Sequence, residues 1–296
     1  MKTRGQLQRR FYPLWFAFPA LAVYFIFFIF PNLMSFVFAF TDWNSNNMKS
    51  MTFNGLHNFR FLFSDPIFGR AVLNTLTFTF VTVVFTNAFG FLMALGVNMK
   101  LKTTNFLRTV FFAPYMLSTI VTGLVFGAIY NPQHGILNAF LRFVHLDFLT
   151  REWLVNAKTA LLAVCAMEIW QGMGFAMVII LAGLQTINKE YHEAAYIDGA
   201  GYFQRLRAIT IPLVAQSLIV SGLLSMVSGM KVFGQIYVLT NGGPMDRTQV
   251  IATSIFKYFG SGLFGYSSAM GLVFTVIVTA ASIAILSVTR KLEVEM

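Results

Sequence analysis

Apolar residues occur along this chain in six long blocks rather than in the periodic stripes of soluble helices or strands. A helix needs about 20 apolar residues to cross roughly 30 Å of hydrocarbon, and each block reaches that length. Four blocks contain no charged residue, whereas Glu168 lies inside the fourth and Lys231 inside the fifth. The pattern predicts an all-α polytopic membrane protein with six transmembrane helices, at about 14–39, 71–97, 109–130, 158–183, 213–239 and 264–288.

The composition supports a single transmembrane domain over residues 1–296. Hydrophobic residues make up 57% of the chain and charged residues 11%, whereas soluble domains carry about 25% charged residues. The single cysteine, Cys165, cannot form an intrachain disulfide, and the four His have no metal-ligand spacing, so we expect no metal or cofactor. The first block is too long for a cleaved signal peptide and is expected to be retained.

The positions of Lys and Arg predict the orientation, because cytoplasmic loops carry an excess of both. The net charge of +10 is spread over the gaps between the blocks, so we expect no nucleic-acid partner. One side carries eight of these cations. The other side carries twelve and is predicted to be cytoplasmic, with both termini: Lys2, Arg4, Arg9, Arg10, Lys100, Lys102, Arg108, Lys189, Arg205, Arg207, Arg290 and Lys291.

The segment 184–212 is the only sizeable loop on the predicted cytoplasmic side. Residues 188–198 are good helix formers that mix charged side chains with a small apolar surface. Gly199 and Gly201 bracket a turn, since glycine takes the positive φ that ends a helix without strain. A second short helix is predicted at 202–208, before Pro212. Such a hairpin suits docking into a cleft of a soluble partner.

This loop resembles the EAA loop of ABC-importer permeases, in which the coupling helices sit in a groove of the ATPase subunit. The chain departs from the family pattern at Asn188, where proline is usual, and at Leu206, where phenylalanine is common. The resemblance implies that ATPase coupling depends on the matching residues Glu193, Ala194, Ala195, Asp198, Gly199, Ala200 and Pro212.

Further motifs narrow the resemblance to the F-type subunit of the maltose-like carbohydrate uptake permeases, in its short form. They are Phe40-Thr41-Asp42-Trp43, Gly55-Leu56-His57-Asn58-Phe59, Asn74-Thr75 and Thr240-Asn241-Gly242-Gly243-Pro244. The resemblance implies the type I ABC permease fold and a place in the bacterial cytoplasmic membrane. It also implies a second related permease, two ATPase subunits and an extracytoplasmic solute-binding protein that delivers sugar to outer loops including 41–69 and 240–262.

Polar and aromatic residues at midplane depth indicate a substrate path. A helix rises about 1.5 Å per residue, so the midplane of the fourth and fifth spans falls near Trp170 and Met226. Hydroxyl and amide groups there suit a sugar, and an aromatic ring could stack on it. The candidates are Glu168, Trp170, Gln171, Phe175, Ser225, Ser228, Gly229 and Val232, with Ser221 and Gln235 on the same stripe as the serines.

Several of these features have a plainer structural reading. Small residues at such spacing equally mark helix–helix contact, and serine can bond its own helix backbone. Glu168 and Lys231 could pair with each other, line the path or lie near its ends. The row Thr75, Thr79, Thr82 and Thr86 could line a pore, but we favour packing for it, and we interpret Gly123-x-x-x-Gly127 as a close helix contact.

Two other classes of membrane protein fit the sequence less well. A secondary transporter needs ion-coupling carboxylates, and this chain has one carboxylate inside a span. A membrane enzyme needs converging catalytic groups, which the scattered His and loop acids do not provide. No GxxxxGK[ST] phosphate loop is present, so ATP and Mg²⁺ are expected on the partner ATPases. Glycerol phosphate or a related polyol is the alternative substrate.

Overall fold

The computed structural model of the chain describes residues 14–49, 51–99 and 102–289. This part of the chain is almost entirely helical, and its only β pairing is an isolated bridge between Thr41 and Phe53. Helices long and apolar enough to cross a membrane are α1 (Trp15–Phe38), α3 (Pro66–Asn98), α7 (Ala160–Thr186), the continuous helix Tyr202–Met230 and α13 (Phe264–Thr289). A sixth span results if α4 (Thr104–Phe112, continued as a turn to Met116) and α5 (Thr119–Ile129) count as one. The predicted all-α, polytopic fold is confirmed.

Short helices occupy the segments between the spans. The helix Tyr202–Met230 consists of α9 (Tyr202–Arg205), a π-helical turn at Leu206–Thr210 and α10 (Ile211–Met230). The remaining bounds are α2 (His57–Ser64), α6 (Ile136–Phe143), α8 (Lys189–Ile197), α11 (Gly234–Leu239) and α12 (Ile251–Gly260).

The helices depart from the predicted spans in two places. The third span bends by 97° between Met116 and Thr119, because the chain is extended at Leu117 and Ser118 just after Pro114, whose ring disfavours a continued helix. The fifth helix starts at Tyr202 and ends at Met230, before the predicted end at 239. The helix ends between Gly229 and Gly234. Glycine weakens a helix by about 1 kcal/mol relative to alanine, which favours an end at this point.

The described chain divides into two compact units. One consists of Asp65–Ser254 and the residues from Phe274 onwards, and it is built on the packing of α3, α7 and α10. Gly90 of α3 lies directly against Ala176 and Met177 of α7, where a Cβ atom would clash. Both α7 residues belong to an apolar cluster formed by Ala94, Val97, Ala176, Met177, Ile180, Leu181, Leu184 and Val214.

The other unit contains the residues up to Ser64 together with Ile255–Val273. Asn58 is its main polar link, because its side-chain amide donates to the carbonyl oxygens of Ala39 at 2.9 Å and Thr41 at 2.8 Å. The rings of Phe40 and Phe59 lie 5.1 Å apart between centroids. Two of the sequence motifs, Phe40–Trp43 and Gly55–Phe59, are therefore held together here.

Some of the cations that predict the orientation lie outside the described residues. They are Lys2, Arg4, Arg9, Arg10, Lys100, Arg290 and Lys291. The orientation and the single-domain assignment stay predictions.

Candidate functional site: the 184–212 loop and a transmembrane cavity

The 184–212 loop folds as a helical hairpin whose first arm, α8, is capped by Asn188. The Asn188 side-chain oxygen accepts a hydrogen bond from the Glu190 N–H at 3.1 Å. It thereby satisfies one of the N–H groups that the first turn of a helix leaves unpaired. Proline, the residue that the family resemblance expects here, also favours a helix start. The departure at Asn188 therefore preserves the start of α8.

Gly199 closes the other end of α8. Its φ is +78°, in the region that L-residues other than glycine rarely adopt. The Gly199 N–H donates to the Tyr196 carbonyl at 3.1 Å, and the Ala200 N–H donates to the Ala195 carbonyl at 2.9 Å. This pair of bonds is the Schellman motif, which needs a left-handed residue at its centre. The backbone therefore requires glycine at 199 for a sharp turn into α9.

The hairpin presents large apolar side chains to solvent. Arg205 of α9 lies 5.6 Å from the Tyr196 ring centroid, a cation–π contact that ties the two arms together. The predicted coupling residues Glu193, Ala194, Asp198, Gly199 and Pro212 are exposed, and Ala195 and Ala200 are partly buried. The exposed apolar and aromatic residues are Tyr191 (58%), Tyr196 (71%), Ile197 (84%), Tyr202 (60%) and Phe203 (81%). Apolar exposure of this extent marks an interaction surface.

A cavity of about 310 Å³ lies between the hairpin and the ends of α3 and α7. Met99 and Ile187 line it from the helix ends, and His192 and Arg205 line it from the hairpin. The Nε atom of Arg205 is buried without a hydrogen-bond partner. The inner side of the hairpin is therefore only partly packed against the transmembrane helices.

A second cavity, of about 200 Å³, lies inside the transmembrane part between α3, α7 and α10. Four of the residues predicted for the substrate path line it, namely Glu168, Phe175, Ser225 and Ser228. Its full lining is Thr82, Thr86, Tyr115, Glu168, Gly172, Phe175, Leu224, Ser225 and Ser228. The structure thus brings Glu168 and Phe175 of one predicted helix face and Ser225 and Ser228 of the other to one place.

This cavity combines a flat aromatic surface with hydrogen-bonding groups. The rings of Phe175 and Tyr115 are stacked, with centroids 4.5 Å apart and planes at 11°. The Glu168 carboxylate accepts a hydrogen bond from the Gln235 amide at 2.5 Å. None of the described residues that line the cavity is Lys or Arg. Carboxylate and hydroxyl groups beside stacked rings suit an uncharged ligand rich in hydroxyl groups.

The other four predicted path residues lie outside this cavity. Trp170 lies against Phe126, with ring centroids 5.3 Å apart, in a separate apolar cleft. Gln171 is 7% exposed and donates to the Leu117 carbonyl at 2.8 Å. Gly229 packs so closely on α3 that a Cβ atom would lie 3.1 Å from the Thr79 Cα, and Val232 belongs to a buried apolar cluster. Their role in transport stays a prediction, but their contacts are those of packing residues.

The structure separates the two charged residues of the spans. Glu168 bonds to Gln235, whereas Lys231 is exposed at the C-terminal end of α10. Thr75, Thr79 and Thr82 each donate to a carbonyl of their own helix. In the Gly123 motif, a Cβ atom on Gly123 would clash with Val238, as expected for a close helix contact.

Sequence reasoning missed a link between two motifs far apart in the chain. The Asn74 side-chain amide of α3 donates to the carbonyls of Arg247 at 2.9 Å and Gln249 at 2.8 Å. The Thr75 hydroxyl accepts from the Ile251 N–H at 3.1 Å. Within the 240–250 loop, the Thr248 hydroxyl donates to the Gly243 carbonyl at 2.6 Å. The Asn74-Thr75 motif therefore holds the segment that follows the Thr240–Pro244 motif.

Comparison with known proteins identifies the family. The family described as "Binding-protein-dependent transport system inner membrane component" matches residues 86–294. The chain belongs to this family. Members are inner-membrane subunits of binding-protein-dependent transport systems, so the predicted family and its role in transport are confirmed.

Individual permeases of the family resemble the chain over almost its whole length. It is 35% identical to the "Probable ABC transporter permease protein YurN" of Bacillus subtilis, covering 93% of this chain and 95% of that one. It is 32% identical to the "Trehalose/maltose transport system permease protein MalF" of Thermococcus litoralis, covering 92% and 91%. A chain of a bacterial alginate ABC transporter has the same fold, with a TM-score of 0.81, 21% identity and 98% of both chains covered.

In this permease, the described residues contain no group of three His, Cys, Asp or Glu side chains that could hold a metal ion. The polar groups of the transmembrane cavity are candidates for contact with a transported molecule.

Proposed function

We propose that this permease is a transmembrane subunit of an ATP-driven importer for an uncharged sugar or oligosaccharide. The exposed 188–203 hairpin carries this proposal, because it offers an apolar surface that the described residues of the chain leave uncovered. The substrate class is supported by the permeases that resemble this chain, which include a trehalose/maltose and a multiple sugar-binding system. The stacked rings and hydrogen-bonding groups of the transmembrane cavity suit such a substrate.

The energy for transport comes from partner subunits. Two ATPases, carrying ATP and Mg²⁺, bind the cytoplasmic face of a pair of related permeases, and one docks on residues 188–201 of this chain. Closure of the ATPases moves α8, and the turn at Gly199 passes the movement into the helix Tyr202–Met230. An uninterrupted helix from the hairpin into the membrane is well suited to transmit this motion. Both termini lie in the cytoplasm.

The cavity favours a neutral sugar over glycerol phosphate. A phosphate needs Arg, Lys or clustered N–H groups to replace its hydration. The cavity instead contains the Glu168 carboxyl group, and its lining within the described part of the chain has neither Lys nor Arg. A solute-binding protein delivers the sugar to the outer loops, after which the sugar ring packs against the stacked pair of Phe175 and Tyr115.

Charge reversal at Glu193 tests the coupling role. Glu193 is exposed on α8, so Glu193→Lys should leave folding and membrane insertion intact but abolish uptake and reduce co-purification of the ATPase. The matched control is Glu152→Lys, the same charge change at an exposed residue of an outer loop, which should retain both. Full uptake and ATPase assembly in the Glu193 variant would show that the hairpin is not the docking element.

A pair of aromatic substitutions tests the substrate path. Phe175→Leu removes a ring that lines the cavity, whereas Trp170→Leu removes a ring from the separate apolar cleft. The sugar is first identified by screening the purified solute-binding protein, and uptake is then measured against its concentration. We expect about tenfold slower uptake from loss of one stacking contact, worth about 1.4 kcal/mol, in the Phe175 variant alone. A defect confined to the Trp170 variant would place the path elsewhere.

A further inference from the structure

The loop between α5 and α7, residues 131–159, contains a short helix, α6, that is well defined at both ends. Before it, the N–H groups of Gln133 and His134 donate to the Asn131 side-chain oxygen at 3.0 and 2.9 Å. After it, His145 adopts a φ of +59°, and the Leu146 N–H donates to the Leu141 carbonyl at 2.8 Å. The two bonds to Asn131 form a turn before the helix, and the bond from Leu146 forms a Schellman motif at its C-terminal end. Both ends of α6 are therefore defined by hydrogen bonds.

The inner face of α6 is tied to the ends of the neighbouring spans. Asn138 is 4% exposed. Its side chain donates to the Arg151 carbonyl at 2.9 Å and accepts from the Trp153 indole N–H at 2.8 Å. Trp153 lies 6.4 Å from Tyr130 between ring centroids, and the Tyr130 hydroxyl donates to the Ala163 carbonyl of α7 at 2.9 Å. The helix is therefore held at the level where α5 ends and α7 begins.

The opposite face of α6 is apolar, and the described residues of the chain leave it uncovered. Ile136, Phe140 and Phe143 follow i, i+4 and i+7, the spacing of one helix face, and they are 68%, 58% and 81% exposed. Phe148, in the turn Asp147–Leu149, is 68% exposed as well. Because the anchored residue Asn138 lies on the other side of the helix, this apolar stripe points away from the protein.

We propose that the stripe Ile136–Phe140–Phe143 is embedded in lipid at the outer boundary of the membrane, with α6 lying in the plane of the interface. The stripe begins seven residues after Ile129, where the apolar helix α5 ends, so α6 lies close to the end of a span. Trp153, which is only partly buried, is an aromatic residue of the kind that favours the headgroup level. Arg142, about a third of a turn from the stripe, reaches the headgroups or water. An apolar face opposite a polar one is the pattern of interfacial helices.

Anchoring in lipid would fix the outer ends of α5 and α7 relative to the membrane while the helices move. The transmembrane cavity is lined by Phe175 and Glu168 of α7, so a fixed outer end of α7 would give the cavity a stationary wall. The inference depends on the membrane location of the chain and not on its substrate or its ATPase partner.

Spin labels at single cysteines test the proposal. Cys165 is the one cysteine of the chain and is buried, so Cys165→Ala gives a background for Phe140→Cys and Phe143→Cys. Two reference sites are Phe80→Cys on α3, 71% exposed, and Ile197→Cys on the 184–212 loop, 84% exposed. The control on the same helix is Arg142→Cys. The full-length chain is placed in phospholipid nanodiscs, and collisions of each label with oxygen and with a water-soluble nickel complex are measured.

We expect the labels at 140 and 143 to behave like the label at 80, with frequent oxygen collisions and few nickel collisions. The labels at 142 and 197 should collide with nickel several-fold more often. Nickel access at 140 and 143 equal to that at 197 would show that the stripe faces water and would overturn the proposal. Low access to both reagents would show that protein covers the stripe, which would also overturn it.

Discussion

In two loops of this permease, the burial of key residues is the opposite of what the composition of the loop suggests. The 240–250 loop is rich in Gly, Asn, Asp and Thr, yet Thr248, Gln249 and Val250 are at most 2% exposed. The 188–203 hairpin contains the charged run Lys189-Glu190 and three alanines, yet it exposes Ile197 and Phe203 by more than 80%. The first loop satisfies its backbone through α3. The second satisfies its backbone within itself, through the cap at Asn188 and the turn at Gly199.

The difference separates a structural loop from a docking loop. A buried loop must pair its carbonyl and N–H groups, so removing one partner should reduce the stability of the whole subunit. A self-contained hairpin with an apolar outer surface can lose contacts without unfolding the rest. Substitutions in the two loops should therefore affect different measurements, and the size of the stability change should decrease from the first loop to the second.

The largest stability change is expected for Asn74→Ala. The change removes one buried and one partly buried hydrogen bond, and it takes the Asn74 donor away from the carbonyls of Gln249 and Arg247. Because an unpaired buried polar group costs about 1–3 kcal/mol, the variant should lose about 2–4 kcal/mol in the free energy of unfolding. Thermal unfolding of the purified subunit in detergent measures the loss.

The control for this variant is Asn46→Ala, at an exposed residue of the 41–56 loop, where a change within about 0.5 kcal/mol is expected. Equal melting temperatures for the two variants would mean that the 240–250 loop does not depend on α3. The contrast between the two loops would then be lost.

A smaller and local change is expected at Gly199. Alanine at a φ of +78° costs about 1–2 kcal/mol, whereas Asn tolerates this region better. Gly199→Ala should therefore weaken α8 more than Gly199→Asn and leave the melting temperature of the subunit unchanged. Hydrogen exchange of the 189–198 amides should accelerate about 5- to 30-fold in the Ala variant.

Gly201→Ser is the matched control, since Gly201 has a φ of −69°, precedes α9 as its N-cap and has open space around its Cα. Serine favours that position. If Gly201→Ser accelerated exchange as much as Gly199→Ala, the Schellman turn would not be what holds the hairpin.

The sequence was sufficient for the helices and for the loop motif, but not for the contacts between helices. Blocks of about 20 apolar residues have few other solutions in a membrane, and this explains why the fold class follows from hydropathy. The bend after Pro114 and the end of α10 at Met230 depend on local backbone geometry within apolar runs, which hydropathy does not register.

The transmembrane cavity shows why the assignment of residues to helix faces does not predict which of them line the same cavity. Trp170 and Phe175 are five residues apart, so they point about 140° away from each other on a helix with 3.6 residues per turn. That spacing was a usable signal that only one of them could line a given cavity. Tyr115, however, reaches Phe175 from a turn after α4, and no pattern within α7 could indicate it. The close packing of Gly229 on Thr79 likewise depends on which helix lies opposite.

The 41–56 loop provides a third case, with paired polar groups but little burial. The Asp42 carboxylate accepts a hydrogen bond from the Thr52 N–H at 2.7 Å, and this bond lowers the pKa of Asp42 below its usual value of 3.8. If the pairing of polar groups alone stabilises a loop, the 41–56 loop should resist opening as the 240–250 loop does. If burial is required, it should be easily opened.

The smallest effect is therefore expected from the titration of Asp42. A pKa that is lower in the folded loop than in the open loop means that the charged form favours the folded state. The contribution is fully present above pH 3.8 and is lost as the pH falls through the lower pKa of the folded loop. Protection of the Thr52 amide against hydrogen exchange, corrected for the intrinsic pH dependence, should be constant from neutral pH to about pH 5 and should decrease below pH 3.8. Asp42→Asn keeps an acceptor without a titrating charge, so its Thr52 protection should be lower at neutral pH and insensitive to pH. If Thr52 protection in the Asn variant decreased with pH to the same extent, Asp42 would be excluded as the cause. Burial rather than pairing would then be what distinguishes the stable 240–250 loop from the 41–56 loop.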